Sequence, residues 1–280
     1  MKKIEHPWIG KYLRPGAVPS PFCPGCGNGI IASAFIRAVD KKYGSFDNFV
    51  FVSGIGCAAW IPSPLFYADT IHTLHGRAIP VAMGVKLANP KLNVVVISGD
   101  GDLVSIGGNH LLHAARRNLD ILVILVNNFV YAMTGAQVSP TTPLGARTTT
   151  TPYGNPEQPL DVCKLLAQTN ANYVARWTVY HVFDLEKTFR EALDMEGFRF
   201  IEVISSCPTR WGHMQKMNTI QLLEYFKENS IRIEQVKDPN DTQGKILIGV
   251  FVKRDNPGFI KQLSKVREKA IELWRKKMVK

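Results

Sequence analysis

The chain has 280 residues, 45% hydrophobic and 20% charged, enough for one large α/β domain or two small ones around a substantial core. No apolar run nears the roughly 18 residues of a membrane span, and the basic start MKK lacks the apolar stretch of a signal peptide, so we expect a cytoplasmic protein with no membrane segment. Five cysteines in such a chain argue against a disulfide framework and leave metal, cluster or core roles; the formal charge of +11 admits nucleic acid, an anionic membrane, an acidic protein partner or simply a solvated basic surface.

In chain order, FCPGCGNGI (22–30) sets two cysteines two residues apart in a Pro/Gly turn that opens a helix over 26–44. A buried strand follows at 48–54, then a helix at 77–90 stopped by Pro90, and a strand at 92–99. A helix at 107–119 leads to a strand at 120–128. The stretch from Ser139 to Pro159 is too long for an ordinary connection and reads as a lid within one domain. Helix 159–170, strand 171–177, helix 182–196 and strand 198–207 resume the alternation. The tail carries a short helix near 218–229, a strand at 244–252 and a basic helix at 259–279. This rhythm predicts an α/β fold, a mostly parallel sheet with helices on both faces, spanning 1–215, with 216–280 as a C-terminal extension packed on that domain or on a partner.

Ligands of open parallel sheets bind beyond the carboxyl ends of the strands. GIGC (54–57), GDGD (99–102), NNFVYAM (127–133) and SSCPT (205–209) each follow a predicted strand, so all four should open onto one rim and bring Cys57 and Cys207 together. A Gly-Asp-Gly turn lets main-chain N–H groups approach a phosphate at a helix start. Asp100 offers a carboxylate oxygen and Asn128 an amide oxygen one strand away, donors that suit Mg²⁺ bridging to phosphate. Alone, GDG is a plain tight turn; paired with NN one crossover later it points to a metal–phosphate site.

SGDGD followed by VNN resembles the thiamine diphosphate and Mg²⁺ motif of thiamine-dependent enzymes. CPGCGNGI, SGIGCAAWIPSP, HTLHGRAIPVAMGVKLANP, GGNHLLHAARRN and YAMTGAQVSPTTPLGARTTTTPYGN together resemble the β subunit of 2-oxoacid:ferredoxin oxidoreductases, over about two thirds of the chain; the loop and VARWTVYH are most similar to the 2-oxoglutarate-type members. The resemblance implies Mg²⁺ on Asp100, Asn128 and the Val130 carbonyl. It implies a diphosphate cradled by Gly101, Asp102, Ala132 and Met133, and a thiamine lined by Ile55, Gly56, Cys57 and Ala58, with His75 close by. It further implies a [4Fe–4S] cluster on Cys23, Cys26, Cys57 and Cys207.

The activity so implied is oxidative decarboxylation of a 2-oxoacid, 2-oxoglutarate favoured, to acyl-CoA and CO₂, with coenzyme A as co-substrate and electrons passed through the cluster to ferredoxin. The glutamate that activates thiamine is expected on a separate α subunit with the pyrimidine-binding domain. A pyruvate or branched-chain enzyme, or a non-oxidative thiamine decarboxylase, shares most of these features. Four cysteines with a single CxxC also suit zinc, and with the basic charge would fit a nucleic-acid-binding protein, although no nucleic-acid module or aromatic–basic interleaving is present.

Several residues have plainer readings. Cys163, on an apolar helix face, is expected in the core. His110 and His113 could face one metal, but lack a third ligand and read as structural. His75 could equally be a satisfied helix-start histidine, and Arg147 either a solvated loop residue or a partner for a carboxylate or coenzyme A. Some broad-specificity relatives carry a basic residue near GCAAW, where this chain has Trp60, so the anchor for a substrate carboxylate is expected from the loop or from the α subunit.

Overall fold

The computed structural model describes residues 6–238, 241–242 and 244–278. Its elements in chain order are α1 (Gly27–Lys42), β1 (Phe49–Ser53), β2 (Asp69–His72), α2 (Ala78–Ala88), β3 (Asn93–Gly99), α3 (Gly108–Arg116) and β4 (Leu122–Asn127). A small hairpin, β5 (Val130–Tyr131) and β6 (Gln137–Val138), precedes α4 (Val162–Ala167), β7 (Tyr173–Thr178), α5 (Val182–Leu193) and β8 (Arg199–Ile204). The tail holds α6 (His213–Gln215), α7 (Thr219–Glu228), β9 (Ser230–Arg232), β10 (Ile246–Lys253) and α8 (Phe259–Met278).

Eight strands form one sheet in the order β2-β1-β3-β4-β8-β7-β10-β9. The first six run parallel; β10 turns antiparallel against β7, and β9 lies parallel to β10. The expected parallel α/β sheet is therefore present. Its central strands are unbroken apolar runs because both faces are covered: every residue of LVILVN in β4 is buried. The two-residue period of a strand then sorts side chains between two cores. Val95, Ile97, Ile124 and Val126 join Phe35, Phe51 and Phe189 on one side. Val94, Val96, Val123 and Leu125 meet Ile79, Leu111 and Phe200 on the other. Removing such a side chain from water is worth about 1.5–3 kcal/mol each, which fixes the register of the parallel strands.

Some expectations needed correction. β2 and β9 were not legible: β2 is a largely exposed edge strand, DTIH, with no apolar alternation to betray it. The helix expected over 159–170 is only Val162–Ala167, because Asp161 accepts a hydrogen bond from the Lys164 N–H and starts the helix there. The loop read as a lid is anchored by buried Ser139, Thr141, Thr142, Thr148 and Asn155, while Leu144 and Tyr153 between them are exposed. The start of α8 is tied to the amino edge of the sheet, where the N–H groups of Phe259 and Ile260 donate to the Asn118 carbonyl and to Asp120 Oδ2. From there α8 has no buried residue, and Val266, Ile271, Leu273 and Trp274 are exposed. Among the described residues no helix is long and apolar enough to cross a membrane.

Candidate functional site

β1, β3, β4 and β8 are consecutive neighbours and all point the same way, so the turns that follow them share one rim. There two cavities lie side by side. The first, about 130 Å³, is lined by Ile55, Gly56, Cys57, Ala58, His75, Asp100, Gly101, Asp102, Asn128, Val130, Ala132 and Met133. Every residue expected to touch the metal, the diphosphate or the thiamine is in that wall. The second, about 270 Å³, is lined by Cys23, Cys26, Cys57 and Cys207 together with Trp60, Asn128, Ala132, Met133 and Arg210. Cys57, Asn128, Ala132 and Met133 belong to both walls.

Local structure explains how the distant cysteines meet. The turn 23–26 closes on a Cys26 N–H to Cys23 carbonyl bond of 3.0 Å, and Cys26 caps α1. The end of β8 is stapled to that turn: the Gly27 N–H donates to the Ser206 carbonyl at 2.9 Å, and Ser206 Oγ to the Gly25 carbonyl at 3.0 Å. Gly27 is required at this crossing, since a Cβ would lie 2.4 Å from Ser205 Oγ and 2.9 Å from the Ser206 nitrogen. The strand register and the staple together deliver Cys207 to the CxxC turn, and Gly56, at φ 128, lets the chain after β1 bring Cys57 in from the other side.

Burial pushes the Cys26 thiol up to about 12, with Cys207, Cys57 and Cys23 adding to the rise and the Asn28 N–H opposing it. Burial likewise raises Cys57 and Cys207, again with neighbouring thiols contributing. Buried thiols at Cys26, Cys57 and Cys207 whose ionisation is disfavoured suit a site completed by cations, which reverse that logic. Among the described residues no group of three or more His, Cys, Asp or Glu is gathered closely enough to hold one metal ion. The four thiols stand together in the wall of the larger cavity.

In the smaller cavity Asp100 is 1% exposed, and its Oδ2 accepts from Ser139 Oγ at 2.5 Å and Thr141 Oγ1 at 2.9 Å. Burial lifts its carboxyl from 3.8 to about 6 against those two donors. A buried carboxylate that shares a cavity wall with an amide and a main-chain carbonyl, and that among the described residues has no cationic side chain bonded to it, is a donor set for a hard divalent cation. At Gly101 a Cβ would lie 2.4 Å from the Tyr131 ring, so only glycine leaves that floor open. Asp102 does something sequence reasoning did not foresee. Its Oδ1 accepts from the Ile55 N–H at 3.1 Å, the Gly76 N–H at 2.8 Å and His75 Nδ1 at 2.5 Å, while Oδ2 is buried without a partner. One carboxylate thus ties the turns after β1 and before α2 to the turn after β3. Its negative charge faces those donors, so an approach to phosphate there falls to main-chain N–H groups.

Behind the site lies a buried ionic group that the sequence did not announce. Asn127 Nδ2 donates to Glu202 Oε1 at 2.8 Å, and Arg176 Nε to Glu202 Oε2 at 2.6 Å. Cys163 is fully buried as expected, with its Sγ 3.3 Å from Glu202 Oε2. His113 Nδ1 accepts from Arg116 Nε at 3.4 Å. Arg147 is exposed, its carbonyl accepting from Gln215. Trp60, 41% exposed, stands in the wall of the cysteine cavity.

Residues 54–203 match the family model of the thiamine pyrophosphate enzymes, C-terminal TPP binding domain. The 2-oxoglutarate synthase subunit KorB of Methanocaldococcus jannaschii is 44% identical over 94% of this chain and 98% of its own length. The chain belongs to the thiamine pyrophosphate enzymes, as a β subunit of the 2-oxoacid:ferredoxin oxidoreductases. The KorB subunit of Methanothermobacter thermautotrophicus is 45% identical to this β subunit, over 96% of this chain and 95% of that protein. Among solved structures, the 2-oxoglutarate:ferredoxin oxidoreductase of Magnetococcus marinus, with 2-oxoglutarate, coenzyme A and succinyl-CoA bound, superposes with a TM-score of 0.82 at 34% identity. That likeness covers 92% of this β subunit and 89% of the other chain.

Proposed function

We propose that this β subunit holds thiamine diphosphate, Mg²⁺ and one [4Fe–4S] cluster at the carboxyl edge of its sheet, and serves a cytoplasmic enzyme that oxidatively decarboxylates 2-oxoglutarate to the acyl-CoA. The observation that carries the reading is the common wall: Cys57, Asn128, Ala132 and Met133 face both the metal–phosphate cavity and the four-cysteine cavity. A non-oxidative thiamine enzyme has no use for the second cavity, and a zinc protein none for the first. The near-full-length relatives named for 2-oxoglutarate favour that substrate over pyruvate or a branched-chain 2-oxoacid. The neighbour's bound coenzyme A supports it as co-substrate.

Asp100, Asn128 and the Val130 carbonyl would hold Mg²⁺; Gly101, Asp102, Ala132 and Met133 would meet the diphosphate through main-chain N–H groups. Ile55, Gly56, Cys57 and Ala58 would pack on the thiamine, with His75 oriented beside it by Asp102. Thiamine diphosphate supplies the nucleophilic carbon and electron sink for loss of CO₂, and the cluster a one-electron outlet towards ferredoxin. The protein's part is to fix the two centres on one rigid rim and to line the space between with apolar Ala132 and Met133.

The site is open on its outer side. Ile55 and Met133 of the cavity wall are exposed, as are Leu74, next to His75, and Ile106, beside Gly76. A partner α subunit carrying the pyrimidine-binding half would cover them and contribute the activating glutamate. The net charge of +11 suits encounter with an acidic ferredoxin, at a rate that falls with added salt.

The experiment is anaerobic purification of the chain with its co-purifying partners, followed by iron and sulfide analysis and 2-oxoacid-dependent dye reduction. The reading expects about four irons per chain, lost in Cys57→Ser and Cys207→Ser, and coenzyme-A-dependent reduction with 2-oxoglutarate. Zinc in place of iron, or turnover of the oxoacid in protein free of iron, would sink it.

A further inference from the structure

Three hydroxyl groups at the start of the long loop reach back to the turns that carry the metal-binding oxygens. Ser139 Oγ donates to Asp100 Oδ2 at 2.5 Å, and Thr141 Oγ1 lies 2.9 Å from the same oxygen. Thr141 Oγ1 is also 3.0 Å from Asn127 Oδ1, so its single proton has two acceptors in range. Thr142 Oγ1 donates to the Phe129 carbonyl at 2.5 Å and accepts the Ser139 N–H at 2.9 Å. All three side chains are buried, at 4% exposure or less.

Phe129 needs this support. Its φ of 68 lies in the left-handed region, unfavourable for an aromatic residue, and it separates Asn128 from Val130. Its N–H donates to Asn127 Oδ1 at 3.0 Å and its carbonyl is taken by Thr142, so the turn is held from both sides. Where the amide of Asn128 stands relative to the carbonyl of Val130 follows from that turn. A carboxylate, in the same way, has its plane set once one oxygen is anchored. The two hydroxyls on Asp100 Oδ2 therefore decide where its other oxygen points.

We propose that Ser139, Thr141 and Thr142 are positioning residues of the divalent-cation site, and that the buried start of the 139–159 loop is part of that site rather than a cover over it. The proposal rests on the assignment of Asp100, Asn128 and Val130 as the oxygen ligands. It assigns the loop a role that its composition did not reveal: the ligand geometry is assembled before any cation arrives, by residues that never touch the cation.

The test uses the assembled complex, purified anaerobically and stripped of divalent cations and thiamine diphosphate, with Mn²⁺ as probe. Free Mn²⁺ is followed by electron paramagnetic resonance in the presence of added thiamine diphosphate. Thr141→Val keeps the shape and loses the hydroxyl, and is expected to weaken Mn²⁺ binding by about 10–100-fold, the range for loss of a group that orients a ligand. Ser139→Ala should act in the same direction, and Thr141→Ser should restore most of the affinity. Thr148→Val is the control, since that hydroxyl pairs with Thr151 within the loop itself at 2.7 Å; it should bind as the unsubstituted complex does.

Full affinity in both Thr141→Val and Ser139→Ala overturns the proposal, as does an equal loss in Thr148→Val. If Thr141→Val fails to assemble, Ser139→Ala against Thr141→Ser decides the matter by the same criterion. Failure of the functional reading looks different: the unsubstituted complex would then hold no Mn²⁺ with thiamine diphosphate at all.

Discussion

Asp100 should make the cofactor-free protein less stable as pH rises, and replacing it should remove that dependence. Burial holds its carboxyl at about 6 in the folded chain against 3.8 when exposed. A folded value above the unfolded one means the group favours folding most below pH 3.8, and that contribution is lost as pH rises through about 6. At about 1.4 kcal/mol per pH unit, the ionised side chain costs about 3 kcal/mol by pH 8. About half of that is already in place at pH 5, so about 1.4 kcal/mol accrues between pH 5 and 8. For a chain of this size that is roughly 3 °C in thermal midpoint. Asp100→Asn keeps an oxygen for Ser139 and Thr141 and takes the charge away. Thermal midpoints of the cofactor-free, cluster-retaining complex at both pH values should show the unsubstituted protein falling by that amount relative to the variant. Mg²⁺ with thiamine diphosphate should then recover the unsubstituted protein alone. A gap that does not change with pH would refute the reasoning, because it would mean that burial does not outweigh the hydrogen bonds to Asp100.

Three other outcomes are expected. Gly101→Ala places a Cβ 2.4 Å from the Tyr131 ring, well inside carbon–carbon contact, and should cost about 1–3 kcal/mol in thiamine diphosphate binding by calorimetry. Tyr131→Ala in the same chain should recover most of it; an unimpaired Gly101→Ala would mean the ring is not the floor of the cavity. Cys163→Ala should lower the thermal midpoint, since its sulfur packs fully buried against Glu202 and the Ala175 carbonyl, yet leave iron content unchanged. Glu186 is buried, which alone would raise its carboxyl, but bonds from Lys41 and Arg37 hold it below its usual value. Its stabilisation is therefore present at neutral pH and lost as pH falls below the usual carboxylate range. Because both partners are partly exposed, Glu186→Gln should cost only about 0.5–1 kcal/mol at pH 7, and nothing in acid, by denaturant titration.

The amino-acid order alone determined the parallel sheet, the rim and most of the residues on it. Buried parallel strands are unbroken apolar runs, and the turns after them are marked by glycine or asparagine, so LNVVVISGDGD and DILVILVNN declare both their structure and the edge at which their polar residues emerge. Strand direction then required Asp100 and Asn128 to be neighbours, whatever else folded around them. Tertiary structure decided what local pattern cannot encode. Cys207 meets a turn about 180 residues earlier because Ser206 staples β8 to Gly25 and Gly27. Asp102 is placed near the phosphate turn by the sequence, and only the fold shows that its carboxylate turns towards Ile55, His75 and Gly76. Ser139, Thr141 and Thr142 sit in a stretch with no period at all; small hydroxyl residues in a loop are usually solvated, and only the closing of that loop onto Asp100 and Phe129 gives them their partners. Periodicity reports which face an element buries, while hydrogen bonds between irregular segments depend on distances that exist only once the sheet has formed.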